Sequence, residues 1–231
     1  MTDPLGSPIE ASEVAEPNRL IDHTHLAPCA MPDEIDRLCD EALEHDFAAV
    51  CVSPVWVARA HLRLEGSSTA VATVIGFPHG ADLSATKATA ARLAQEQGAS
   101  ELDMVMSLGR FAAGDQAAVQ DEIAAVVAER EPGHLVKVIL ETAYWDLESV
   151  ERACRLAMDA GADFVKTSTG FGPGGATIEA VSSMRRVVGD RLGVKASGGI
   201  RDFETLVEMV QAGATRIGTS SGLAIMKEFS A

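Results

Sequence analysis

Eight short apolar runs, many of them β-branched, recur along the 231 residues, and a stretch of helical periodicity follows each. They fall near Leu20–Asp22, Ala48–Val52, Val71–Ile75, Glu101–Val105, Leu135–Leu140, Asp163–Lys166, Gly193–Ala196 and Arg216–Gly218. Strands covered by helices on one side and by a packed interior on the other read as near-continuous apolar runs, and helical crossovers between them make the strands parallel. The pattern predicts an α/β fold, a (β/α)8 TIM barrel, as a single domain over residues 18–231; an open doubly wound sheet is the alternative. Helix starts are marked by Pro32 with Asp33, Ser53-Pro54, Ser84, Asp146, Thr177 and Asp202. These types bring a preset φ or a side-chain acceptor for the unpaired N–H groups of a first turn. After Asp202, residues Phe203, Leu206, Val207 and Val210 form one buried stripe, and Gly213 supplies a stop. Residues 1–17, containing Pro, Glu and Ser, are expected to form a mobile N-terminal extension.

With 34 acidic and 19 basic residues the chain carries a net charge of −15, and its own field opposes general attraction to nucleic acid or anionic membranes. A small molecule is the expected partner. An anionic one is still admissible, because backbone N–H groups and a helix N-terminus hold phosphate without a basic surface. Cys29, Cys39, Cys51 and Cys154 form no Cys-x-x-Cys pair, which reads as reduced thiols in a cytoplasmic protein. No run approaches the roughly 20 apolar residues of a membrane span, and the start lacks the pattern of a signal peptide.

In a barrel of this type the chemistry sits at the C-terminal ends of the strands. Lys166 ends the sixth run and Lys195 lies in the seventh, with parities that allow both to point inward. A strand lysine can simply extend to solvent. Here each is followed by a small polar turn, Thr-Ser-Thr-Gly or Ala-Ser-Gly-Gly, that leaves room for a ligand. A desolvated amine beside a second cation titrates low and becomes a nucleophile, which points to Schiff-base chemistry. Asp103, within Glu101-Leu-Asp-Met-Val, is a structural ion-pair partner or a general acid/base; Glu101 shares its parity but lies deeper. The turns Ser197-Gly-Gly-Ile-Arg201 and Gly218-Thr-Ser-Ser-Gly222 follow the last two strands, where barrels of this type often hold phosphate. His23 and His25 are expected to pack rather than to ligate, since strands five and six show no histidine and strand eight no Asp at its end. Cys51 either faces the site or is an inert buried thiol.

Taken in order, Ile21-Asp-His-Thr, Val50-Cys-Val-Ser-Pro, Ile75-Gly-Phe-Pro-His-Gly, Glu101-Leu-Asp-Met-Val, Lys137-Val-Ile-Leu-Glu-Thr, Phe164-Val-Lys-Thr-Ser-Thr-Gly, Val194-Lys-Ala-Ser-Gly-Gly-Ile-Arg and Arg216-Ile-Gly-Thr-Ser-Ser-Gly closely resemble deoxyribose-phosphate aldolases. The resemblance spans nearly everything beyond residue 17. It implies reversible, metal-free and cofactor-free cleavage of 2-deoxy-D-ribose 5-phosphate to acetaldehyde and D-glyceraldehyde 3-phosphate. It also implies that Lys166 is the Schiff-base lysine, Lys195 the neighbouring cation, and Asp103, with an ordered water, the proton carrier. Asp22 and Thr169 match positions lining the site, and Gly170, Gly198, Gly199, Gly218, Ser220 and Ser221 match substrate and phosphate positions. One departure is Phe171 where some members carry lysine, which shifts phosphate binding toward backbone N–H groups and Arg201. The alternatives are another class I sugar-phosphate aldolase, or a non-catalytic sugar-phosphate-binding barrel. A homo-oligomer, with a dimer favoured, is expected on general grounds.

Overall fold

The computed structural model describes residues 14–230, and its strands close into a parallel barrel in the order β1-β2-β3-β4-β5-β6-β7-β8. The strands are β1 Ile21–His25, β2 Ala49–Val52, β3 Ala70–Ile75, β4 Glu101–Val105, β5 Leu135–Ile139, β6 Phe164–Lys166, β7 Gly193–Ser197 and β8 Arg216–Thr219. The expected barrel is the observed one, and most strand limits agree within a residue. β1 differs, running three residues past Asp22 to His25. Its extra residues are polar; Thr24 and His25 are only half-buried, Thr24 Oγ1 donates to the Asp22 carbonyl at 2.9 Å, and the buried His23 bonds Glu41 through Nε2.

Nine α-helices occur among the described residues: α1 Pro32–His45, α2 Val57–Arg63, α3 Ser84–Glu96, α4 Leu108–Ala112, α5 Gln116–Ala128, α6 Leu147–Asp159, α7 Ile178–Val188, α8 Phe203–Gln211 and α9 Gly222–Phe229. Asp146, Thr177 and Asp202 cap their helices as expected, accepting from Ser149, Ala180 and Thr205 N–H. Ser84 instead lies inside the first turn of α3, after Leu83. Ser53-Pro54 opens a short 3-10 turn before α2. The start of α5 had no expected marker, yet Asp115 caps it through Ala118 N–H.

The first 13 residues of the expected extension lie outside the described residues. At its end Val14 and Pro17 are buried, and Pro17 opens the 3-10 turn that leads into β1.

Side-chain alternation divides the barrel into two regions. Val50, Val52, Leu102, Met104, Val136, Val138, Val165, Val194 and Ile217 point outward into the main core, beneath the helices. The intervening residues point into the barrel. On β2 and β3 these are apolar, with Ala49, Cys51, Ala72 and Val74 forming a small separate cluster against Leu26 and Phe77. The remaining six strands turn charged residues inward, and these form a polar network.

Candidate active site

Seven ionisable side chains meet inside the barrel, each brought by a different strand position. β4 delivers Asp103, whose Oδ1 accepts from Lys137 Nζ at 2.8 Å and whose Oδ2 accepts from Lys166 and Lys195 at 2.7 Å each. Strand register explains these meetings: Asp103 pairs with Lys137 across β4 and β5, and Lys166 pairs with Lys195 across β6 and β7. Lys195 also donates to Asp22 Oδ2. Below them, Glu101 lies 2.5 Å from Lys137, and Arg216 Nη1 reaches Asp22 at 2.7 Å and Glu101 at 3.2 Å. Arg216 also stacks over the Phe164 ring, 5.8 Å from its centroid, in the manner of a cation–π contact.

Burial and charge act in opposition here. For Lys166, burial favours the neutral amine and lowers its pKa; Asp103 pulls the other way, and Lys195 adds a further downward push. For Lys195, burial is outweighed by Asp103 and Asp22, and its pKa rises. Burial likewise opposes ionisation of Asp103 and Asp22, but the surrounding cations dominate and hold both carboxyls below the usual carboxylate range. Adjacent lysines thus end in different states: Lys195 is held as a cation and Lys166 is disposed to lose its proton.

Above this network lies a cavity of about 380 Å³. Lys166 forms part of its wall, whereas Lys195, Asp103 and Asp22 do not line it; Asp103 contacts Lys166 directly, and Lys195 contacts Asp103. Thr169, Gly170, Gly198, Gly199, Gly218 and Ser220 also line it, together with Phe171 and Arg201. Ser221 stands behind the wall as the residue preceding α9. Gly198 has φ +88°, and a Cβ there would come within 2.9 Å of Gly175 Cα, so the loop keeps its shape only with glycine. Phe171 packs edge-on to Phe77 with ring centroids 5.3 Å apart, making one rim of the cavity aromatic.

Cys51 lies in the small apolar cluster of the interior, and burial, then Asp103, push its thiol pKa up. It is an un-ionised thiol there. His23 is buried and bonds Glu41 at 2.7 Å, and His25 lies 3.8 Å from Glu34. Among the described residues no group of three or more His, Cys, Asp or Glu is placed to hold a metal ion.

Sequence reasoning overlooked three side chains, Lys137, Glu141 and Arg216. Lys137 shares the parity signal that exposed Asp103: it interrupts Leu135-Val-Lys-Val-Ile139, an otherwise apolar strand. Arg216 opens β8, where a cation passes for a solvated strand end. Glu141 follows β5 in a conformation that its residue type does not announce.

The DeoC/LacD family aldolase model matches residues 18–228. The deoxyribose-phosphate aldolase of Brevibacillus brevis is 53% identical over 209 residues, covering 90% of this chain and 94% of its own length. That of Thermococcus kodakarensis is 52% identical over 212 residues, covering 90% and 95%. A tetrameric deoxyribose phosphate aldolase from Aeropyrum pernix superposes with a TM-score of 0.87 at 32% identity, covering all of this chain (100%) and 94% of that one. The match runs through every strand that contributes to the buried network, and the chain belongs to the DeoC/LacD family of aldolases.

Proposed function

We propose that this aldolase reversibly cleaves 2-deoxy-D-ribose 5-phosphate to acetaldehyde and D-glyceraldehyde 3-phosphate through a Schiff base on Lys166. One observation carries the reading: a single Asp103 oxygen lies 2.7 Å from Nζ of both Lys166 and Lys195, and of these three residues Lys166 alone lines the cavity. Four cations, Lys137, Lys166, Lys195 and Arg216, face three carboxylates, Asp22, Glu101 and Asp103. Releasing one proton balances the cluster. Lys166 is the group that releases it, since its pKa is lowered while those of Lys137, Lys195 and Arg216 are raised.

The neutral Lys166 amine adds to the sugar aldehyde, and the carbinolamine hydroxyl leaves as water once protonated, giving an iminium. Removal of the C3 hydroxyl proton breaks the C2–C3 bond; its electron pair flows into the iminium, which becomes an enamine as D-glyceraldehyde 3-phosphate departs. Protonation at C2 and hydrolysis release acetaldehyde and restore Lys166. Asp103, in contact with both amines, carries protons between the reacting centre and Lys195. The phosphate is held by Gly198 and Gly199 N–H groups and the N-terminus of α9, with Arg201 on the rim supplying charge. The names of the relatives support this substrate.

Borohydride trapping tests the mechanism directly. With acetaldehyde present, the wild-type protein is expected to gain a two-carbon adduct that peptide mapping places on Lys166. Lys166→Ala should lose both the adduct and turnover, the latter by on the order of a thousandfold or more. A trapped adduct on another lysine, or metal-free turnover surviving in Lys166→Ala, would remove Lys166 from its role. A homodimer in the cytoplasm is the expected assembly and location, and light scattering on the purified protein checks the first.

A further inference from the structure

Glu141 combines three features that a residue serving only as a strand end would not need. It follows β5 with φ 54° and ψ 59°, in the left-handed region that strains a residue bearing a Cβ. It is 1% exposed. Its carboxylate has no cationic partner among the described residues, and its bonds go to Thr169: Oε2 accepts from Oγ1 at 2.5 Å and from the backbone N–H at 3.2 Å, while Oε1 lies 3.3 Å from the same N–H. A buried carboxylate held by neutral donors alone is costly to retain.

The bonds continue beyond Thr169. Its hydroxyl, having donated to Glu141, accepts from Phe171 N–H at 3.0 Å. Carboxylate, hydroxyl and amide thus form a chain that sets the turn over residues 169–171, and all three of those residues line the cavity. Gly172 closes against the same carboxylate, since a Cβ at that position would lie 2.9 Å from Glu141 Cδ. Meanwhile Leu140 N–H bonds the Lys166 carbonyl and Thr142 N–H bonds the Thr167 carbonyl, both at 2.9 Å. The backbone on either side of Glu141 is therefore tied to the strand that carries the nucleophile, and the left-handed twist between those ties aims the side chain at the turn.

We propose that Glu141 is a positioning residue for substrate binding: acting through Thr169, its carboxylate holds the 169–171 turn in the shape that walls the cavity beside Lys166. This rests on the reading of that cavity as the substrate site. Glu141 touches neither amine, so its removal should impair binding of the sugar phosphate more than the chemical step.

The test compares Glu141→Ala, Glu141→Gln, Thr169→Val and the double variant Glu141→Ala/Thr169→Val. In Glu141→Ala, KM for 2-deoxy-D-ribose 5-phosphate is expected to rise on the order of tenfold with kcat changed by less than about threefold, as for loss of one hydrogen-bonded charged partner. Glu141→Gln, which keeps an acceptor for the Thr169 hydroxyl, should recover most of the loss. The double variant should be no worse than Thr169→Val alone, because both act through one chain of bonds. Hydrogen exchange gives an activity-independent readout: the Thr169 and Phe171 amides should exchange faster in Glu141→Ala. Unchanged KM with reduced kcat, additive losses, or unchanged exchange in the turn would overturn the proposal. If wild-type protein fails to turn over the sugar phosphate, the substrate reading fails, and exchange at Thr169 and Phe171 still decides the role of Glu141. Should Glu141→Ala not fold, Glu141→Gln and Thr169→Val carry the same comparison.

Discussion

A carboxylate that accepts from three ammonium groups, as Asp103 does from Lys137, Lys166 and Lys195, shares its charge among them, so removing one cation strengthens its hold on the others. That gives Lys195→Leu a definite sign. Losing the Lys195 charge removes a repulsion that lowers the Lys166 pKa and leaves more of the Asp103 attraction on Lys166; both effects raise that pKa. Less Lys166 is then neutral at pH 7. The acid limb of the kcat/KM profile should move to higher pH, with activity at neutral pH falling on the order of a hundredfold or more as the proton store is also lost. An acid limb that stays in place would show that the two lysines are not coupled. At this scale the sequence was informative where a charge interrupts an apolar run: Lys166, Lys195 and Asp103 all stand out in this way, and by the same rule Lys137 does too. Arg216 did not, because a basic residue at the start of a strand looks the same whether it meets solvent or, as here, Asp22 and Glu101.

Helices and loops are joined by a second buried ion pair outside the barrel. Lys87 on α3 donates to the Gly80 and Val105 carbonyls at 2.9 Å each and to Glu122 on α5 at 3.0 Å, while Glu122 also accepts from Ser107 N–H. One amine thus fastens the β3–α3 loop, which carries the Phe77 ring packed against Phe171, to the end of β4. Lys87→Met keeps the length of the side chain but leaves Glu122 buried without its cation, and should cost about 3 kcal/mol or more of unfolding free energy. Chemical denaturation reads this as a lower midpoint at unchanged slope; a loss well under about 1 kcal/mol would mean that solvent reaches Glu122 in the folded protein. Element boundaries were legible where a cap or an apolar stripe is local. Asp202 with Phe203, Leu206 and Val207 predicts α8, and Gly213, at φ +108°, follows its end. α4 and the Asp115 cap of α5 went unmarked because Gly109 and the Ala-rich stretch weaken the periodic signal.

For the whole molecule, the charged barrel interior makes stability depend on pH with a sign set by the shifts. Asp22 and Asp103 titrate lower folded than unfolded, so their contribution is complete above the unfolded value of about 3.9 and is lost as pH falls below it. His23 is lowered by burial against the opposing pull of Glu41, so it adds an earlier loss as pH falls through its unfolded value of about 6.5. Thermal melts should show a modest decline below about pH 6.5 and a steep one below about pH 4. An unchanged midpoint down to about pH 2 would mean that the buried carboxylates do not depend on their cations for stability.

Strand number, helical crossovers and inward parity are local properties, written in residue spacing and composition, and so the barrel and the inward direction of Lys166, Lys195 and Asp103 could be read without coordinates. Which charges meet is not local. Asp103 lies 63 positions from Lys166 and 92 from Lys195, and Lys195 lies 173 from Asp22. Their approach depends on barrel closure and on a register that sets each side chain at a particular height. The bend that turns Glu141 onto Thr169 depends likewise on hydrogen bonds to β6. Coulomb and hydrogen-bond energies change steeply over an ångström in a buried site, so partner choice and the opposite pKa shifts of two neighbouring lysines were decided by tertiary packing alone.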